Sequence, residues 1–80
     1  MRTYASLAAY LTHWRALARG TQTPADANLL AEMNRVIVEI LGDERRYLVG
    51  PAADSSAERH RARAEAMLRH ELIARGVLAE

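Results

Sequence analysis

Residues 23–41 read TPADANLLAEMNRVIVEIL, and the fold turns on this stretch. Threonine followed by proline is a helix start: Thr23 caps, and Pro24 takes the first turn, where its missing N–H leaves nothing unsatisfied. Asp26 adds negative charge where the helix dipole favours it. Leu29, Leu30, Met33, Val36, Ile37, Ile40 and Leu41 then share one broad apolar face, about 140° wide. Glu32, Arg35 and Glu39 sit opposite, spaced for ion pairs of about a few tenths of a kcal/mol each. A helix this one-sided is core, and it needs helical neighbours to cover it.

The chain supplies two. Upstream, Tyr4, Leu7, Leu11, Trp14 and Ala18 recur at spacings of three and four, with Tyr10 and Leu17 widening the face. Thr3 is the expected cap and Gly20 the stop. The reverse side of that helix carries Ala5, Ala9, Thr12 and Ala16, small enough to admit another helix or simply good helix formers. Downstream, Ser55 with Glu58 three residues on has capping-box spacing and opens a third helix that Gly76 should end. Between them, Gly42 either closes the second helix or sits inside it, and Asp43 can start a short extra turn through Val49 before Gly50-Pro51 stops it. The alternative, Tyr47 to Val49 as a strand, has nothing to pair with. The expectation is an all-α domain: an antiparallel three-helix bundle with helices at about 3–19, 24–41 and 55–75, and an extra turn at 43–49. Leu11, Trp14, Leu29, Met33, Ile37, Ile40, Leu68 and Leu72 should form its core, with Val77-Leu78 packing back or fraying.

The third helix is less tidy. Its main apolar stripe, Ala57, Ala64, Met67, Leu68 and Leu72, is interrupted by His60, Arg61, Glu71 and Arg75. Its opposite side carries Ala62, Ala66, Ile73 and Val77, which a solvated face does not need. Glu71 with Arg75, Glu65 with Arg69 and Glu58 with Arg61 have the spacing of intrahelical ion pairs.

Composition narrows the function classes. The chain has 80 residues, half of them apolar, and a net charge of +1. That is one domain, and one this small hides only about 60% of the surface its unfolded form exposes. There is no cysteine, so disulfides, thiolate metal sites and cysteine nucleophiles are absent. Stability must come from packing, association or a ligand. All 11 basic residues are arginine, which codon usage can explain, although arginine also binds carboxylate and phosphate through two parallel bonds. No apolar run is long enough for a membrane span and no signal-peptide pattern opens the chain, so a cytoplasmic location is the expectation.

Charge is unevenly placed. Arg2, Arg15 and Arg19 give the first segment +3; Asp26 to Glu44 carries −4; Arg45 onward carries +2. Helices one and two should therefore attract one another, within one bundle or between two copies.

No constellation for chemistry survives inspection. His70-Glu71 opens an HExxH-like sequence, but Ala74 stands where the second histidine belongs. No glycine-rich phosphate loop or nucleophile–base spacing occurs, and no helix-turn-helix with a polar reading helix follows the Gly20–Pro24 turn. Neither catalysis nor a metal or other cofactor is expected. Two binding readings remain. The first is a protein-interaction module, an adaptor, inhibitor or regulatory subunit expected to form a homodimer, using Arg59, Ala62, Arg63, Ala66, Arg69, Ile73 and Val77. The alternative is nucleic-acid binding through Arg45, Arg46, Arg59, Arg63 and Arg69, although the usual interleaved aromatics are missing.

Overall fold

The computed structural model describes residues 2–51 and 53–80. Helix α1 spans Leu7–Arg19, α2 spans Pro24–Leu41, a 3₁₀ segment follows at Gly42–Leu48, and α3 spans Ser55–Ala74. The domain is an all-α three-helix bundle. Its radius of gyration is 12.6 Å, against about 11.6 Å for a compact chain of this length. Among the described residues, no helix is long and apolar enough to cross a membrane.

Helix α2 starts and ends where its sequence predicts. The Thr23 hydroxyl accepts from the Asp26 amide at 3.1 Å. The start of α1 and the cap of α3 differ from expectation. Helix α1 begins at Leu7, not near Thr3, with the Ser6 hydroxyl accepting from the Ala9 amide at 3.2 Å. Tyr4 is unavailable to a helix because it pairs with the far end of the chain. Its amide donates to the Val77 carbonyl and its carbonyl accepts from the Ala79 amide, both at 2.8 Å. Helix α3 is capped by Asp54 in place of Ser55, its carboxylate accepting from the Ala57 amide at 2.8 Å. A charged acceptor is the stronger partner for the positive end of a helix. At the other end Gly76, at φ +75°, turns the chain back through a conformation that suits glycine. Val77 and Leu78 thus pack back, and Leu78 is buried.

The expected extra turn is a full 3₁₀ segment, longer than the three or four residues usual for that geometry. Gly42 breaks α2 at φ +57°, and the segment then delivers Leu48, 0% exposed, into the core. Its last carbonyls lack helical partners, and arginines from α1 and α3 supply donors to them and to the Gly50 carbonyl just beyond. From α1, Arg15 Nη2 donates to the Leu48 carbonyl at 3.1 Å. From α3, Arg61 Nε donates to the Tyr47 carbonyl at 2.7 Å and its Nη2 to the Gly50 carbonyl. His60 lies flat on Tyr47, ring centroids 4.7 Å apart at 12°.

Two interruptions of the α3 stripe are thereby explained: Arg61 and His60 hold the 3₁₀ segment against the helix. Arg61→Met should keep the stem and lose the donors, destabilising the fold by about 1–2 kcal/mol because water can reach part of the site. A change in urea midpoint near zero would mean that the two carbonyls do not need this side chain.

Of the expected core, Leu11, Met33, Ile37, Leu68 and Leu72 are buried, whereas Trp14, Leu29 and Ile40 are half-buried against it. Tyr10, Leu17, Leu41, Leu48, Ala64 and Leu78 complete the core.

The charge pattern resolves differently from expectation. Arg35 pairs with Glu39 at 2.7 Å along α2 as its spacing predicts, but the intrahelical pairs foreseen in α3 do not form. Arg75 reaches across to Glu39 at 3.1 Å, Arg69 to Glu80 at 2.6 Å and Arg63 to Glu44 at 2.8 Å. The Arg75 and Arg35 guanidiniums hold the Glu39 carboxyl below its ordinary pKa. Among the described residues no ion pair joins α1 to α2. The acidic α2 and 3₁₀ segment attract α3 instead.

Candidate interaction surface

The outer strip of α3 is thinner than its sequence suggests. Ile73 and Val77 are half-buried and pack against the core, where the returning chain end pairs with Tyr4. Arg63 and Arg69 are engaged by Glu44 and Glu80. Arg59, Ala62 and Ala66 remain exposed, and Arg59 has no hydrogen-bond or ion-pair partner among the described residues. Beside Ala66, Met67 is 42% exposed. It lines a groove of about 440 Å³ with Ile40, between the charged residues Glu39, Glu71 and Arg75.

The arginines proposed for nucleic acid do not converge. Arg46 donates to the Tyr47 hydroxyl at 3.1 Å and lies 5.0 Å over that ring. The hydroxyl bond raises the Arg46 pKa further above its ordinary value. With Arg63 and Arg69 also engaged, only Arg45 and Arg59 of the five are unpartnered among the described residues.

A second surface was not foreseen. Helix α1, helix α2 and the 3₁₀ segment border a cleft of about 570 Å³, lined by Trp14, Val38 and Val49 among others. Val38 is 43% and Val49 67% exposed, so with Met67 they are the large apolar residues most exposed to solvent among the described residues. Trp14 is pinned to the cleft wall by its Nε1, which donates to Asn34 Oδ1 at 2.8 Å. Val49 follows the 3₁₀ segment in extended backbone, φ −103° and ψ 130°, which lifts its side chain clear of the helices.

Two opposite charges share the same cleft. Asp43 and Arg45 both line it, beside Arg46, whose guanidinium is taken up by Tyr47; neither Asp43 nor Arg45 has an ion-pair or hydrogen-bond partner among the described residues. One sequence signal pointed here: Val38 lies off the apolar face of α2, a β-branched residue on the side that should be polar. Val49 gave no such signal, because its exposure depends on how the 3₁₀ segment ends.

Among the described residues, no three of histidine, aspartate and glutamate lie close enough to hold a metal ion. Comparison of the chain with protein-family models, with curated proteins and with solved structures finds no match in any of the three.

Proposed function

We propose that this chain is a small protein-interaction module that pairs with a second copy of itself through the Trp14–Val38–Val49 cleft. The paired form leaves the α3 strip and its neighbouring groove, Arg59, Ala62, Ala66 and Met67, for a further protein partner. The observation that carries the reading is the cleft: exposed valines around a tryptophan, flanked by an aspartate and an arginine that are unpartnered among the described residues.

A two-fold interface sets each residue against the counterpart of another, so a patch containing both signs can satisfy itself. Asp43 of one copy then meets Arg45 of the next, and the reverse. Tryptophan and arginine are also the side chains that most often anchor protein contacts. A standard interface covers about 800 Å² per partner, and this chain exposes 5188 Å², so the cleft and its rim need only a modest share of the surface.

Light scattering or sedimentation at micromolar concentration tests the reading. The native chain should show twice its chain mass, and Val49→Asp, which places a charge on an exposed side chain, should give a folded monomer. A native monomer, or a Val49→Asp dimer as tight as the native one, would remove the proposal. Steeply salt-dependent binding of DNA or RNA would favour the arginine reading in its place.

A further inference from the structure

A different cleft, lined by none of the residues assigned to pairing, has the makings of a ligand site. It occupies about 360 Å³ where the joined chain ends meet α1, α2 and α3, within the range of small-molecule pockets. Leu29, Met33, Val36, Leu72 and Val77 give it apolar walls, and Tyr10 stands among them.

Tyr10 is only 3% exposed, yet its hydroxyl has no hydrogen-bond partner among the described residues. No polar side-chain atom described is both sealed from solvent and unpartnered. The little surface that Tyr10 keeps therefore includes its oxygen, and it is in this cleft that the residue meets open space. Burial first, then the neighbouring Tyr4 and Glu32, push the Tyr10 phenol up to about 12, against the opposing pull of Arg75. It stays protonated at any ordinary pH and is a standing donor. The ring is held in place edge-on to Tyr4, centroids 5.1 Å apart at 82°, and the Tyr4 hydroxyl lies 2.7 Å from His13 Nδ1.

The charges at the cleft select for no net sign. Arg2 and Glu32 both line it, and Arg75 is already paired with Glu39. A charged head would gain one neighbour and be repelled by another, whereas a neutral acceptor gains the phenol without that conflict.

We infer that this cleft binds an uncharged amphipathic molecule, an alkyl or single-ring body bearing a carbonyl that accepts from the Tyr10 hydroxyl. One wall is the paired chain ends, Arg2, Tyr4 and Val77, so an occupant packs against that pairing and steadies it.

The probes are octanamide, octanoate and octylamine, which share a chain and differ in head charge, titrated into the whole protein and followed by two-dimensional NMR. Octanamide should shift the signals of Tyr10, Val36, Leu72 and Val77 saturably and bind more tightly than the other two. Its binding should weaken about fivefold in Tyr10→Phe, the loss expected for one neutral hydrogen bond. Bound octanamide should also slow hydrogen exchange at the Tyr4 and Ala79 amides, whose bonds join the chain ends. Tyr10→Phe removes one oxygen and keeps the ring, so its spectrum reports directly that the fold persists. Absence of saturable shifts, equal affinity for all three heads, or undiminished octanamide binding by Tyr10→Phe would each overturn the inference.

Discussion

Leu48→Ala should lower the unfolding free energy by about 2–5 kcal/mol, whereas Val49→Ala, one residue on, should change it by no more than about 0.5 kcal/mol. Leu48 has no exposed surface and Val49 keeps 67% of its own. Truncating Leu48 leaves a cavity between α2 and α3 that a segment already tied by Arg15 and Arg61 cannot collapse to fill. An 80-residue domain has a total stability of roughly 4–12 kcal/mol, so the loss is a large part of the whole. It should appear as a fall in the thermal midpoint of about 8–40 °C, using the usual conversion for small domains. Both variants belong at concentrations too dilute for pairing, so that Val49 reports only the monomer. Similar small effects from both would mean that the 3₁₀ segment rests on the bundle without belonging to its core.

Alkaline pH should destabilise this protein through a single buried phenol. The chain has no lysine or cysteine, and arginine stays charged beyond pH 12. Between about pH 10 and 12 the tyrosines are therefore the side chains that titrate. The Tyr10 phenol is raised from 10.0 to about 12 in the folded protein, burial being the main cause. In that window the unfolded chain has already released this proton and the folded chain still holds it. Fewer protons on the unfolded state means that stability falls as pH rises, by about 1.4 kcal/mol per pH unit. The contribution is intact below pH 10 and the loss reaches roughly 2–3 kcal/mol at pH 12. Urea midpoints measured from pH 8 to 12 should show this slope in the native chain and lose most of it in Tyr10→Phe. Equal slopes in the two would show that the phenol ionises as readily folded as unfolded.

What the sequence made legible follows the reach of each interaction. Helix α2 was readable throughout because its cap, proline, acidic first turn and apolar face all lie within one stretch. The start of α1 was not, because Tyr4 is drawn out of the helix by Val77 and Ala79 at the other end of the chain. Leu48 was readable as part of a turn but not as core, since its burial depends on Gly42 reversing the path after α2. The arginines of α3 were the most misleading. Their i,i+4 glutamates satisfy a one-dimensional reading, but Glu39, Glu44 and Glu80 are better placed in three dimensions.

The interaction surface shows the same division. The α3 strip was visible in the heptad-like spacing of Ala62, Ala66 and Ile73, yet the returning chain end takes up Ile73 and Val77. The Trp14 cleft joins three separate elements, so no local pattern could assemble it. Only Val38, apolar on the wrong side of α2, hinted that a second surface existed.

Charge reversal within that cleft is the most direct measurement of self-pairing. Asp43→Arg alone sets arginine against Arg45 of the second copy, and Arg45→Asp alone sets aspartate against Asp43, each a like-charge contact that disfavours association. The double variant Asp43→Arg/Arg45→Asp restores opposite charges across the two-fold axis. Sedimentation equilibrium at one micromolar-range concentration should therefore find the native chain and the double variant dimeric and both single variants largely monomeric. A monomeric native chain, or a double variant as dissociated as the singles, would contradict two-fold pairing through this cleft.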